Sequence, residues 1–525
     1  MNASAITTGQ DPLAGARAAV VAAVVTLVVG VATMTPDLIG VFFDDAIYVL
    51  VGKAIAEGQG YVYPQLPGTP PAIHYPPVWP GVIALVWRLG PEFPGNIVLL
   101  KLLNPVFLAL AAAGGVVVAR RHFALPSWAA VLAVVAATAS VPMHVLTNVL
   151  LSEPLFLALL FPTILVTERL RADGGTRWAL AAAALAAVLV LTRTLGGVVV
   201  VATLMVLAAD RRWREGAVYL GVVALLLLPW QYFVWKHSAG FPDELRGSYG
   251  PYLQWVTDGY REGGFALLRD VVMKNVADAW RFVGAFLTPR VTGVARQAVT
   301  LVAIGFFVAG VWRGWGRPAT RILTLAFVGY IGVTLAWPFQ VDRFLWAVWP
   351  LFLLVALDGV RGSVRALRSA ARPRAAWAVV AAGALLVIGH TAYNVRGFAR
   401  GWASSASRQM SERSARAVQY ANADPRLVGK VIGTEAAPMV ALYTGLQVIP
   451  VEMLIVRDHL EKKSDQRSAE IIAALDRRFA PDAYVFSPNG PHLRAFLAAP
   501  FDSTRRFVEI TPPGSDVRSF HAVPR

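Results

Sequence analysis

Residues 18–48 read AAVVAAVVTLVVGVATMTPDLIGVFFDDAIY, and their order decides the fold. The segment 18–35 carries no Asp, Glu, Lys or Arg. A bilayer core takes about 20 predominantly apolar residues per helix. Backbone groups in lipid must be satisfied within their own segment, so this run reads as a membrane helix that delivers Asp44 and Asp45 to the far surface. It lacks a clear small-residue cleavage site, so the reading is a retained anchor. Similar uncharged blocks recur at 102–119, 178–191, 216–228 and 377–388. Across 525 residues, 56% are hydrophobic and 15% charged, whereas soluble domains carry about 25% charged residues. Solvent other than water accounts for the shortfall. The absence of cysteine excludes disulfides, Cys-ligated zinc and Cys-ligated iron–sulfur clusters.

The formal net charge of +16 would suggest nucleic acid in a soluble protein. Here most arginines of the membrane half fall in short loops between apolar blocks, the pattern of cytoplasmic loops, and no nucleic-acid partner is expected. Five basic clusters, around Arg120, Arg171, Arg212, Arg317 and Arg368, share one side if spans run over 18–36, 96–118, 126–143, 153–169, 178–192, 195–209, 215–235, 297–312, 321–338, 342–358 and 376–395. The expected architecture is a polytopic α-helical membrane protein of about 11 transmembrane helices, with its C-terminal part outside. Residues 78–87 are apolar but short and follow prolines, so they read as re-entrant or interfacial. Residues 1–395 form the membrane unit, with outer loops at 37–95 and 235–296. Residues 396–525 read as a small extracytoplasmic α/β domain, with helices at 404–421 and 468–479 and strands at 430–433, 447–451, 482–487 and 506–511. No Gly-rich phosphate loop occurs in it.

Chemistry concentrates at outer helix ends. Asp44 and Asp45 open an amphipathic helix whose face holds Ile47, Val51, Ala54 and Ile55. One aspartate alone serves as an N-cap; a pair next to lipid is costlier, and close carboxylates split their pKa values as a general base requires. A stiff loop with seven prolines over 61–80 then carries His74 and Tyr75 back to the membrane. Glu153, Arg193 and Arg343 lie at other outer helix ends. Ionisable groups at such depth are paired or functional, and snorkelling is the competing account for each arginine. Carboxylates and guanidiniums on one lipid face suit an acceptor meeting a lipid-linked phosphate.

At this point the chain resembles the GT-C superfamily of polyprenyl-phosphate-sugar-dependent glycosyltransferases, in the protein O-mannosyltransferase and aminoarabinose transferase-like branch. The resemblance rests on Asp44-Asp45-Ala46-Ile47-Tyr48 with Gly58-Gln59-Gly60, on His74-Tyr75-Pro76-Pro77, and on Ser152-Glu153-Pro154-Leu155-Phe156. Leu191-Thr192-Arg193-Thr194 and Arg343-Phe344-Leu345 leading to Pro350 complete it. The family usually has Asp-Glu at 44–45, often Lys before the Pro-Pro, and commonly Asp at 153.

The resemblance implies a single displacement, with inversion, of a monosaccharide from a polyprenyl-phosphate donor to an acceptor hydroxyl. Asp44 and Asp45 are the catalytic carboxylates, with Asp44 the base. Arg193, Arg343 and His74 bind the donor phosphate. Glu153, Tyr48 and Tyr75 contact acceptor or sugar. No cofactor is obligatory, although Asp44, Asp45 and Glu153 leave a divalent cation open, as in some relatives. The acceptor is a glycan, a lipid or a protein, membrane lipids are the other partners, and Ala/Val/Arg-rich usage favours a bacterial cytoplasmic membrane. The rivals are a transporter or flippase for a polyprenyl-linked lipid, expected to show internal repeats and midplane charges, and a non-enzymatic scaffold with a receptor-like outer domain.

Overall fold

The computed structural model describes residues 12–35, 38–90, 92–288, 291–487, 491–511 and 515–524. Positions 36 and 37, where the first outer loop was expected to begin, lie outside them. Helices α1 (Pro12–Ala32), α2 (Asp44–Ala56), α3 (Val78–Leu89), α4 (Ile97–Phe123), α5 (Ser127–Thr138), α6 (Val141–Asn148) and α7 (Glu153–Asp173) come first. They are followed by α8 (Thr176–Thr192), α9 (Gly197–Ala209), α10 (Trp213–Ser238), α11 (Arg246–Tyr249), α12 (Tyr252–Leu287), α13 (Gly293–Gly316) and α14 (Arg321–Ala336). The membrane half ends with α15 (Val341–Ala347), α16 (Trp349–Ser369) and α17 (Pro373–Ala399).

Among the described residues every expected span falls mainly on helix. Among the described residues, six helices (α1, α4, α10, α13, α14 and α17) are long and apolar enough to cross a bilayer. Two more qualify if the bent pairs α5/α6 (54°) and α15/α16 (70°) each count as one span, giving eight. The chain is a multi-pass membrane protein. α7 begins at Glu153 and ends among Glu168, Arg169 and Arg171, while α8 has 17 residues and α9 13, so these three do not meet the same standard. Residues 78–87 are helical, as α3, and pack on α2 through Gly52, where a Cβ would stand 3.1 Å from the Pro80 carbonyl. Residues 235–296, expected as the second outer loop, are mostly one helix, α12, broken at Gly264 where φ is +63°.

Helix packing in lipid relies on close approach of small residues. A Cβ added to Gly310 would run into the Val355 carbonyl, and one on Gly359 into that of Phe306, so α13 and α16 touch backbone to backbone. Phe307, Phe352 and Trp349 stack beside this crossing, with centroids 5.0 and 4.9 Å apart.

The C-terminal part holds α18 (Trp402–Ala423), β1 (Val431–Thr434), α19 (Ala437–Thr444), β2 (Gln447–Pro450), α20 (Asp465–Phe479), β3 (Ala483–Phe486), α21 (Pro491–Leu497), β4 (Arg505–Glu509) and β5 (Arg518–Pro524). The sheet order is β2-β1-β3-β5-β4. β2, β1 and β3 are parallel, with Ile432 facing Val448 and Ala483, and β5 runs antiparallel between β3 and β4. This is the α/β pattern expected, with β5, α19 and α21 added. The sheet is joined to the first outer loop: the Val448 N–H donates to the Gln65 carbonyl at 2.7 Å, and the Ile39 N–H to the Tyr443 hydroxyl at 3.0 Å. Trp255 on α12 donates its indole N–H to the Leu454 carbonyl at 3.2 Å.

Gly359→Val is expected to destabilise the protein by about 1–3 kcal/mol through overpacking, read as a fall in the detergent-solubilised melting temperature. Gly332→Val, at a helical glycine with open space around its Cβ position, serves as the comparison with little change.

Candidate active site

Four breaks between helices converge to build the site. The first precedes α2. The Asp44 N–H donates to the Phe42 carbonyl at 2.7 Å while Phe43 sits at φ +64°, ψ −62°. That is a γ-turn of the strained, rare form, in a region that bulky side chains avoid. The Phe43 ring is held against Tyr249 with centroids 5.4 Å apart. Asp45 fastens the same turn from behind, accepting the Gly40 N–H at 2.6 Å and the Phe42 N–H at 2.9 Å while fully buried. Asp44, at the first position of α2, is thereby turned the other way.

The second break separates α8 from α9. Arg193 adopts an extended backbone at the end of α8 (φ −149°, ψ 130°) before a tight turn over Thr194–Gly196. The third begins α7, where Ser152 and Glu153 are buried. The fourth is the 70° bend between α15 and α16, which sets Arg343 on a short helix whose first turn holds Asp342.

These breaks bring four charges together. Arg343 Nη1 donates to Asp44 Oδ2 at 2.7 Å, and its Nε to Glu153 Oε1 at 2.9 Å. Arg193 Nη1 reaches the same Glu153 oxygen at 2.9 Å and Ser152 Oγ at 2.9 Å. Tyr75 donates its hydroxyl to Asp44 Oδ1 at 2.6 Å. Burial pushes the Asp44 carboxyl up, but the Arg343 guanidinium and the Tyr75 hydroxyl outweigh it and hold the group below the usual carboxylate range. Asp45 is shifted the opposite way: burial, against the two backbone N–H donors, leaves its carboxyl raised.

Aromatic rings wall the cluster. Tyr48 lies 4.6 Å from Tyr75, and His74 lies 3.8 Å from Tyr252. His74 Nδ1 is 2.5 Å from the Gly250 carbonyl, so Nδ1 carries the proton, and burial holds the imidazole down to about 4. With Nδ1 donating and the ring neutral, Nε2 is an acceptor. In this state the ring, which lines the cavity above the cluster, presents an acceptor.

A cavity of about 1840 Å³ opens above the cluster. Of the eight residues singled out in the sequence, Asp44, Tyr48, His74, Tyr75, Arg193 and Arg343 line it. Asp45 and Glu153 stand behind the wall, one tying backbone, the other pairing both arginines. Asp44, Asp45 and Glu153 therefore do not converge on a common point: two of them bind Arg343 and the third is spent on N–H groups. That donor set does not fit a divalent cation. Val198, Val201 and Met205 of α9 and Leu325, Val328 and Val333 of α14 give the cavity an apolar flank. Sequence reasoning passed over Tyr252, Trp255 and Trp337, which also line the cavity; the turn Gly250-Pro251-Tyr252 before a long helix was the available signal.

No protein-family model matches the chain, and no curated protein sequence does. Solved structures do. The structure of ArnT from Cupriavidus metallidurans bound to undecaprenyl phosphate aligns with TM-score 0.51 and 15% identity, over 95% of this chain and 97% of that one. The same protein in the apo state gives TM-score 0.52 at 14% identity over the same shares. The apo oligosaccharyltransferase of Archaeoglobus fulgidus gives TM-score 0.54 and 12% identity, over 97% of this chain and 74% of that one. The chain shares the fold of these solved structures over nearly its whole length.

Asp45→Ala is expected to lower stability by about 2 kcal/mol, because it strands one buried and one part-buried N–H group. Asp44→Ala should cost less, since Arg343 keeps Glu153; thermal melts of the two variants make the comparison. His74 is expected to stay neutral, its ring resonances unchanged by NMR between about pH 7.5 and 5.5. Because its folded value of about 4 lies below the usual 6.5, its contribution to stability is full above pH 6.5 and is lost as pH falls toward 4.

Proposed function

We propose that this protein is a glycosyltransferase that moves a monosaccharide from a polyprenyl-phosphate donor to an acceptor hydroxyl on the extracytoplasmic face of a bacterial cytoplasmic membrane. The observation that carries the reading is the Arg343 bridge between Asp44 and Glu153 at the base of a cavity with an apolar flank. The flank of α9 and α14 suits an isoprenoid tail. Arg193, at the α8/α9 break beside it, and Arg343 suit the phosphate, since a guanidinium fork matches phosphate oxygens. The fold shared with ArnT, whose structure holds undecaprenyl phosphate, agrees with a donor of this class.

The chemistry follows from charge balance. Asp44 takes the proton of the acceptor hydroxyl as its oxygen attacks the anomeric carbon from the side opposite the phosphate. The bond from that carbon to the phosphate oxygen breaks, its electron pair leaves with the polyprenyl phosphate, and configuration inverts. One negative charge thus passes from the carboxylate to the phosphate, toward the two arginines. Stabilising the developing charge in a site shielded from water is where such groups act most strongly.

In the empty site Arg343 holds Asp44 in its low-affinity state for protons, which makes a poor base. A donor phosphate competes for the same guanidinium. Its arrival frees Asp44 and raises its proton affinity, so donor binding precedes productive acceptor binding. The transporter reading gains no comparable support, because it gives the Asp44–Arg343–Glu153 bridge no role.

Turnover of a panel of undecaprenyl-phosphate sugars by protein in nanodiscs tests the proposal. Asp44→Asn is expected to lower transfer by about 10²–10⁴-fold while undecaprenyl phosphate binding persists; near-normal transfer would remove Asp44 from the base role. Arg343→Lys is expected to lower transfer by on the order of 10²-fold, because a point charge does not span Asp44 and Glu153 together.

A further inference from the structure

The cavity does not end in the membrane half. Its upper wall is formed by the C-terminal sheet, and the residues there share one structural address. Glu435 directly follows β1, Glu452 follows β2 by two positions, and Ser487 directly follows β3; all three line the cavity, together with His492 of α21. Because β2, β1 and β3 run parallel, their carboxyl ends lie on a single edge. From β1 the chain crosses through α19 to β2 on one side and later through α20 to β3 on the other. Open α/β sheets bind ligands outside the carboxyl ends of their strands where the strand order reverses in this way. Here that crevice faces into the cavity that holds Asp44.

The side chains at this edge are built to read hydroxyl groups. His492 Nδ1 lies 3.2 Å from Glu435 Oε1, and Nε2 lies 3.1 Å from Glu452 Oε2. Burial opposes the charged ring, but the two carboxylates prevail and raise its pKa to about 9, so an imidazolium braces both. Lys463 approaches Glu452 Oε1 at 3.5 Å. Among the described residues Glu435 Oε2 has no partner, and Glu452 is about half exposed. On the facing wall, α18 contributes Glu412, Arg413 and Arg416, the last paired with Asp516. Acids and bases are matched in number on these walls. The membrane cluster is balanced too, but there two guanidiniums meet at one carboxylate oxygen, whereas here two carboxylates flank a single imidazole. Two glutamates around one cation repel a phosphate and accept from hydroxyl groups, which favours a neutral, polyhydroxylated ligand.

We infer that the carboxyl edge of the C-terminal sheet, through Glu435, Glu452 and Ser487, is the acceptor subsite, and that it takes an uncharged saccharide. His492 is a positioning residue that fixes the two carboxylates. This deepens the transferase reading and rests on it.

The test measures binding to the full-length protein in nanodiscs with two separate probes. The first is a panel of neutral hexose and pentose trisaccharides, followed by saturation-transfer NMR; the second is undecaprenyl phosphate. The double variant Glu435→Gln with Glu452→Gln is expected to weaken saccharide binding by about tenfold or more and leave undecaprenyl phosphate binding unchanged. Glu452→Gln alone, at a half-exposed position, is expected to weaken it by a smaller factor with an unchanged melting temperature. Arg343→Ala is expected to show the reverse selectivity, losing the lipid phosphate and keeping the saccharide. Absence of saturable binding by every trisaccharide, binding by the Gln variants equal to that of the unaltered protein, or preference for a Ser/Thr peptide would overturn the inference. Failure of the unaltered protein to bind undecaprenyl phosphate would instead strike the donor reading, with the saccharide arm read by itself.

Discussion

Two arginines share one glutamate oxygen, and one of them extends its other arm to the aspartate at the head of α2. Everything else in the membrane half is arranged so that this sharing is possible. Removing four charges from water costs several kcal/mol per ion, and only close geometry and saturated hydrogen bonds offset it. Among the described residues the offset is incomplete: Glu153 Oε2 and Arg193 Nε are buried without a partner. A cluster left short of bonds in this way is a poor device for stability.

The broken helices follow from that need. A continuous span buries its own polar backbone and directs side chains sideways, whereas an interrupted one ends at depth with polar residues free to turn inward. Each charged residue of the cluster sits within a few positions of such an end: Asp44 after the turn at Phe43, Glu153 ahead of Pro154, Arg193 before the Thr194–Gly196 turn, Arg343 ahead of Pro350. Proline in the first turn of α7 and α16 is suited to starting a helix, because the missing N–H would be unpaired there in any case.

How much of this was visible beforehand depends on range. Uncharged runs are a local property, so among the described residues the expected spans fall mainly on helices, and the basic loops group them by side. Gathering Asp44, Arg193, Arg343 and Glu153 on one surface was also within reach, since each lies at the outer end of an apolar block. The bends were not: 126–143 reads as one uniform block, yet it breaks between Thr138 and Val141, where Ser140 and Pro142 are the only local marks. The division of labour between Asp44 and Asp45 was beyond sequence, because adjacent identical residues differ only in which way a strained turn aims them. The protonation of His74 was beyond sequence for a related reason. Burial holds the ring neutral, and the Gly250 carbonyl, from residues 235–296, fixes which nitrogen carries the proton. Strand β5 was missed because Arg518, His521 and Pro524 mask its alternation.

The hydrogen bond from Ile39 to Tyr443 joins positions 404 apart in the chain, and Gly40 packs against Met439 beside it, a Cβ there lying 3.2 Å from that side chain. Synthesis proceeds from the N-terminus, so the loop bearing Asp44 emerges long before the segment that completes its packing. Until residues 437–450 arrive, that loop lacks its lid and its neighbours. The turn that aims Asp44 is therefore completed by contact between segments 404 positions apart, and not by insertion of the first helices alone.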